Sequence, residues 1–333
     1  MVSRKLDSGL IVISNELHQF INFQKRLLQR ESFFLLYKYI KVRIKLKCMK
    51  SLKNYLNENY LNESVWDIED NIEDDNKEFA LTGIKKFIDE KYYDNISQYC
   101  EYIYDDKRGK YIVNLKGKQT VMLKEKAEQL TNGTFEWGVV SRAFNCCECP
   151  KLESLEGAPR EVGWSFVCSE CPNLESLEGA PKEVGGDFSC SECPKLENLE
   201  GAPEKVDGAF VCSKCIGLKS LKGAPKTLKH YFDCSECPNL ETLEGAPKKI
   251  GGVFTKKSDS YFSCIACIKL ENLLGAPEYV SGHFYCDTCT MLKSLKGAPE
   301  KVDGNFTCVH CPNLHSMDGI GKVGGKITND ENY

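Results

Sequence analysis

The sequence has no apolar stretch long enough to cross a bilayer as a helix, which takes roughly 18 residues or more, so no membrane span is expected. Its first residues, MVSRKLDSGLIVISNE, turn polar too soon for the apolar heart of a signal peptide. A cytoplasmic setting, of the producing cell or of an infected host, is therefore the expectation. Charge of one sign is also lacking. With 44 Lys and Arg against 48 Asp and Glu the formal net charge is −4, so the whole chain is not a general nucleic-acid binder. Histidine is scarce, five residues scattered along the chain, and no Ser/His/Asp or Cys/His set supplies a nucleophile with its base. The glycines fall at periodic turns and form no phosphate loop. Nothing in the sequence signals an enzyme.

Cysteine and a short repeat are what the chain has instead. The stretch FSCSECPKLENLEGAPEKVDGA from Phe188 returns with small changes from Phe144, Phe166, Phe210, Phe232, Phe262, Phe284 and Phe306. The step is 22 residues except between Phe232 and Phe262, where eight more residues enter. Each copy reads F-x-C-x-x-C-x-x-L-x-x-L-x-G-A-P-x-x-V-x-G. A short fixed period predicts a solenoid, because one unit buries too few apolar groups to offset the ordering of its own backbone. In the third copy Phe188 and Cys190 alternate with Ser189 and share the inward face of a short strand. Cys193, Leu196 and Leu199 continue inward, Gly201 and Pro203 break the path, and Val206 returns the chain to the core.

This frame resembles cysteine-containing leucine-rich repeats, whose apolar residues stand at positions 1, 4, 6 and 12 with Cys at 9. Phe188 takes the fourth place, Cys190 the sixth, Cys193 the ninth and Leu196 the twelfth. The resemblance covers about 144–326. Phe replaces the usual Leu, and a Gly-Ala-Pro turn replaces the outer helix. The expected fold is thus mainly β, a leucine-rich-repeat-like solenoid with a parallel strand ladder, an outer side of turns or short second strands, and a small α/β cap region in front. The run LEGAPKEVGGDFSC, with SVWDIEDNIEDDNKEF and LTNGTFEWG ahead of it, also resembles uncharacterised repeat proteins of tailed bacteriophages of gut bacteria. That resemblance implies a fold and no activity.

Five segments follow. Residues 1–48 carry ten Lys and Arg against three Asp and Glu, and Met49-Lys-Ser-Leu-Lys looks like a start, so 1–48 is expected to be an upstream extension or a disordered arm. The functional alternative is an amphipathic arm lying on anionic membrane or nucleic acid. Residues 49–76 form an acidic leader, either a solvated linker or a partner-binding peptide. Residues 77–143 form the cap region. There Phe79, Ile84, Phe87 and Ile88 predict a helix over 75–92, Glu101–Tyr104 and Tyr111–Leu115 predict a hairpin, and Gln119–Leu123 extends it. Residues 144–326 are the eight-copy solenoid and 327–333 a polar tail. The extra residues, about 253–260, are either a functional loop or a neutral bulge.

The paired cysteines admit three readings. Cys168, Cys171, Cys190 and Cys193 have four-cysteine zinc spacing, and a zinc-stapled repeat protein is the alternative function. Against it, each Cys falls where the repeat wants a small inward residue, so core thiols are the expectation. An odd total of 19 without an export signal argues against a full disulfide framework. Thioredoxin-like chemistry needs a thiol at a helix start, which a strand–turn repeat does not offer. His310, between Cys308 and Cys311, is read as an exposed strand residue.

A binding function would use the variable outward positions of the strands: Asp187, Tyr231, Tyr261 and His283 just before the Phe, Asp233 and Tyr285 just after it, and Asp287 between the cysteines with Glu170, Glu192, Lys214 and Glu236. A second ladder at the bend stacks Glu153/Glu156, Glu175/Glu178 and Glu197/Glu200 before Lys219/Lys222, an acidic strip that argues against DNA there. The expected function is a monomeric, non-enzymatic protein-interaction module without cofactor, the expected partner being a protein rather than nucleic acid. A structural virion component is the further alternative.

Overall fold

The computed structural model describes residues 66–124, 129–252 and 260–330. The basic arm, most of the acidic leader and the inserted residues 253–259 lie outside the described residues. The chain divides at Glu78/Phe79 into two units, and the helix α1, Trp66–Lys91, runs through that division. It begins nine residues before the start that apolar spacing predicts.

From Phe79 onward the architecture is mainly β, a solenoid of about nine turns built on two parallel ladders. In the cap, β1 (Cys100–Asp105) and β2 (Lys110–Leu115) form the antiparallel hairpin. The next strand, β3 (Val121–Met122), does not extend it. It pairs in parallel with β5 (Phe144–Asn145) and starts the other sheet, while β2 pairs in parallel with β4 (Phe135–Val140). The hairpin thus ends one ladder and β3 ends the second, so the cap already has the two-sided layout of the repeats. Cap side chains close over the first turn: Ile84, Ile88 and Tyr92 of the helix region are buried with Phe135 and Trp137. The Tyr92 hydroxyl donates to the Leu130 carbonyl at 2.7 Å and receives the Trp137 Nε1–H at 3.2 Å.

Each repeat contributes two short strands. One begins at the Phe and pairs with its equivalents in exact translation along the array, as in Phe166↔Phe188 and Phe188↔Phe210. The other ends at the Val, as in Glu183–Val184 and Lys205–Val206. Among the described residues the Phe ladder has 10 strands and the Val ladder 11. Short second strands therefore occupy the side where a helix would stand in leucine-rich repeats. Between the ladders every Phe, both Cys and both Leu of copies two to seven are essentially unexposed.

Two bends make the turn possible. The residue before the second Cys (Glu148, Glu170, Glu192, Lys214, Glu236, Ala266, Thr288 and His310) is left-handed in every copy, with φ between 53° and 60°. His310 is accordingly a bend residue and not a strand residue. Its Nδ1 lies 3.7 Å from Asp330 Oδ1. The second bend is at the Gly-Ala-Pro. Gly201 has φ +87°, and a Cβ there would stand 2.5 Å from the Glu178 amide nitrogen of the preceding turn. Glycine is needed both for the angle and for the approach of successive backbones.

Candidate functional site

The cysteines belong to the interior. From copy two onward the second thiol of each pair donates to the carbonyl of the first Cys one turn earlier: Cys171 to Cys146, Cys193 to Cys168, Cys215 to Cys190, Cys237 to Cys212, Cys267 to Cys234, Cys289 to Cys264 and Cys311 to Cys286, all at 3.2–3.3 Å. The thiol thus supplies a donor to a carbonyl at the bend, and the Cys264 carbonyl also accepts from the Cys267 amide at 3.4 Å. Burial pushes the thiols of Cys168, Cys190 and Cys212 well above their ordinary range. Cys215 is held at about 11 for the same reason. All 18 cysteines among the described residues are free thiols. Among those residues no group of three or more His, Cys, Asp or Glu is placed to hold a metal ion, and Cys168, Cys171, Cys190 and Cys193 instead point into successive layers of the core.

The outward strand face is built by the residues flanking each Phe. Strand alternation puts the positions one before and one after it on the side opposite the ring. In copies two to four these positions are small: Ser165, Val167, Ser189, Ala209 and Val211, with Asp187 exposed among them. In copies five to seven four of the six are aromatic, Asp233 and Ser263 being the other two. Tyr231 and Tyr261 stack at 4.4 Å with ring planes 7° apart, across the point where the eight extra residues enter the sequence. Tyr261 meets Tyr285 edge-on at 5.8 Å, and His283 lies 5.7 Å from Tyr285. His283 is fixed through Nδ1, which accepts from the Asn305 amide at 3.0 Å. All four rings are half-buried. Burial raises the Tyr231 phenol above its ordinary value, with Asp187 and then Asp233 adding to it. Burial and then Asp287 do the same for Tyr285.

The structure thus brings Tyr231, Asp233, Tyr261, His283 and Tyr285 together on neighbouring strands, with Asp187 two turns earlier in the column of Tyr231. Asp287 is displaced from its expected column. Thr288, not Asp287, stands with Glu170, Glu192, Lys214 and Glu236 at the left-handed bend. Asp287 occupies the place of Ser169 and Ser191, and accepts from Thr307 Oγ1 at 2.7 Å and the Val309 amide at 2.8 Å, as Ser169 Oγ accepts from the Ser191 amide at 3.2 Å.

Two surface features escaped the reading of the sequence. Arg142 lies over the exposed Trp164 ring at 4.1 Å, a pair that column alignment two residues before Phe144 and Phe166 would have found. Arg108, Lys110 and Arg160 surround Glu136 on the other sheet, joining the hairpin to the first repeat. At the bend, Lys219 and Lys222 pair with Glu197 and Glu200, each at 2.8 Å, closing the acidic strip at its later end. Comparison of the chain with protein-family models, with curated proteins and with solved structures gives no match. Among the described residues no helix is long and apolar enough to cross a membrane.

Proposed function

We propose that the chain is a non-enzymatic protein-interaction module whose partner lies on the outward face of the Phe ladder, over copies five to seven. The observation that carries this reading is the contiguous cluster of Tyr231, Tyr261, Tyr285 and His283, whose successive ring contacts span 4.4–5.8 Å. The same columns carry small side chains in the earlier copies. Half-buried tyrosines supply rigid contact area with a polar tip, and a regular strand face holds them at fixed spacing. The leucine-rich-repeat-like frame supports the reading, since stacked repeats present such faces to partners. The likeness to bacteriophage repeat proteins sets where to look: extracts of gut bacteria and their infected cells.

The test uses the full chain as bait beside its Y231A/Y261A/Y285A variant. A partner that the native chain retains is identified by mass spectrometry, and its affinity for both forms is then measured. The triple variant is expected to keep its circular dichroism and to bind at least about tenfold more weakly, since each truncated anchor at an interface costs on the order of 1 kcal/mol or more. Equal affinity rejects this face.

A further inference from the structure

Among the described residues the tyrosine cluster is framed by carboxylates and by no lysine or arginine. Asp233 follows Tyr231 by two residues on the same strand, Asp287 follows Tyr285 by two, and Asp187 stands beyond the buried Ala209 in the column of Tyr231. Among the described residues none of these three carboxylates pairs with Lys, Arg or His. Their oxygens accept from neutral donors: the Ala209 amide to Asp187 at 2.8 Å, the Ser235 amide to Asp233 at 3.0 Å, and Thr307 and Val309 to Asp287. A neutral donor leaves the charge and further lone pairs in place. Cations on adjoining columns are engaged elsewhere, Lys214 with Glu192 at 3.2 Å and Lys229 with Asp207 at 2.9 Å. Burial raises the phenols of Tyr231 and Tyr285, and the neighbouring aspartates add to it.

Ring geometry narrows the ligand. Tyr231 and Tyr261 cover each other's inner faces, and Tyr285 stands at 63° to Tyr261, so the cluster offers no coplanar platform for a base or a sugar. It offers ring rims, hydroxyls and outer faces beside carboxylates. A guanidinium suits that mixture: it is planar, stacks on aromatic surface, gives up its hydration readily and presents several donors to carboxylates at once. We infer that this face binds an arginine-bearing basic segment of a protein partner, with the guanidinium against the tyrosine rings and Asp187 and Asp233 opposite its charge. The inference rests on the strand-face reading given above and adds the chemistry of the partner.

The experiment titrates the full chain with a short peptide of alternating Arg and Gly, and with the same peptide carrying citrulline, which keeps the shape and removes the charge. Calorimetry is expected to show saturable binding of the arginine peptide and at least about tenfold weaker binding of the citrulline peptide. The D187N/D233N/D287N variant is expected to lose a similar factor, and Y261A to follow. Glu153→Gln, Glu156→Gln and Glu178→Gln together, which neutralise the exposed acids of the bend, are expected to leave binding unchanged. Equal binding of the two peptides, or full binding by the aspartate variant with its circular dichroism intact, overturns the inference. So does loss of binding in the bend variant alone, which would mark general attraction to acidic surface. If a captured partner is lost on changing the tyrosines yet kept on neutralising the aspartates, the strand face stands as the interface and the basic partner falls.

Discussion

The cap and the repeats pack aromatic rings in opposite ways. In the cap, Phe87, Tyr92, Phe135, Trp137 and Phe144 meet edge to face, at interplanar angles of 66–84°. From Phe144 to Phe306 the rings stack face to face at 5.1–5.6 Å, with angles of 3–23°. Isolated aromatic pairs favour either the edge-on or the offset-stacked arrangement, and the cap takes the first while the array takes parallel rings. In the array the backbone decides. Each Phe stands on a strand translated by one ladder step of about 4.8 Å, and near-parallel rings are the outcome. Phe144 belongs to both regimes, edge-on to Trp137 and stacked on Phe166. A solenoid cap therefore has to cover apolar surface and also end a repeating geometry that would otherwise continue.

The comparison can be broken from the array side with alkali, where the expected effect is largest. Buried thiols such as those of Cys190, Cys212 and Cys215 ionise at higher pH in the folded chain than in the unfolded one. Below the unfolded value of about 8.5 both states hold the proton and the stability is fully present. Above it the unfolded state loses protons that the fold retains, so stability falls as pH rises, by up to about 1.4 kcal/mol per pH unit for each such thiol. For Cys215 the loss runs from that value to about 11. Urea midpoints measured between about pH 7 and about pH 10 should fall steeply above about pH 8.5, and a flat profile would contradict the dry thiol core.

Paired substitutions sharpen the comparison further. Phe210→Ala removes a ring stacked on both sides, and Trp137→Ala removes one that closes a single end. Each is expected to cost about 3–5 kcal/mol. Their distribution should differ: hydrogen exchange is expected to rise on both sides of copy four in the first variant and from the cap inward in the second, because each turn touches only its neighbours. The smallest effect separates packing from hydrogen bonding within the thiol column. Cys193→Ala leaves the Cys168 carbonyl without its donor and is expected to cost about 1–3 kcal/mol, while Cys193→Ser restores a donor and should recover part of it. If serine is no better than alanine in denaturant titration, the thiol acts through volume alone.

Periodicity made the repeat interior legible. Phe188, Cys190, Cys193, Leu196, Leu199 and Val206 are buried as a two-ladder coil requires, because their spacing encodes which way each side chain faces. The cap was less legible, since its strands pair by tertiary context: Val121 and Met122 read locally as an extension of the hairpin, yet their partner lies at Phe144 in the opposite ladder. The bend between the cysteines was misread for a related reason. Glu, Lys, Thr and His share no chemistry there, only a left-handed angle, and identity does not report an angle that the neighbouring turns impose. On the candidate face, the positions were legible from strand alternation, but the contact of Tyr231 with Tyr261 was not. Thirty residues separate them in sequence, and only the ladder register makes them adjacent.

That register has a consequence for how such a chain can change. Phe232 pairs with Phe262 as Phe210 pairs with Phe232, although eight more residues separate the first two. The ladder therefore counts turns and is indifferent to the length of thread between them. Duplicating or deleting a whole unit would shift everything beyond it by one rung, about 4.8 Å, and leave the local environment of each rung as it was. Copy number then acts as a ruler, setting how far the aromatic rungs stand from the cap without redesign of either.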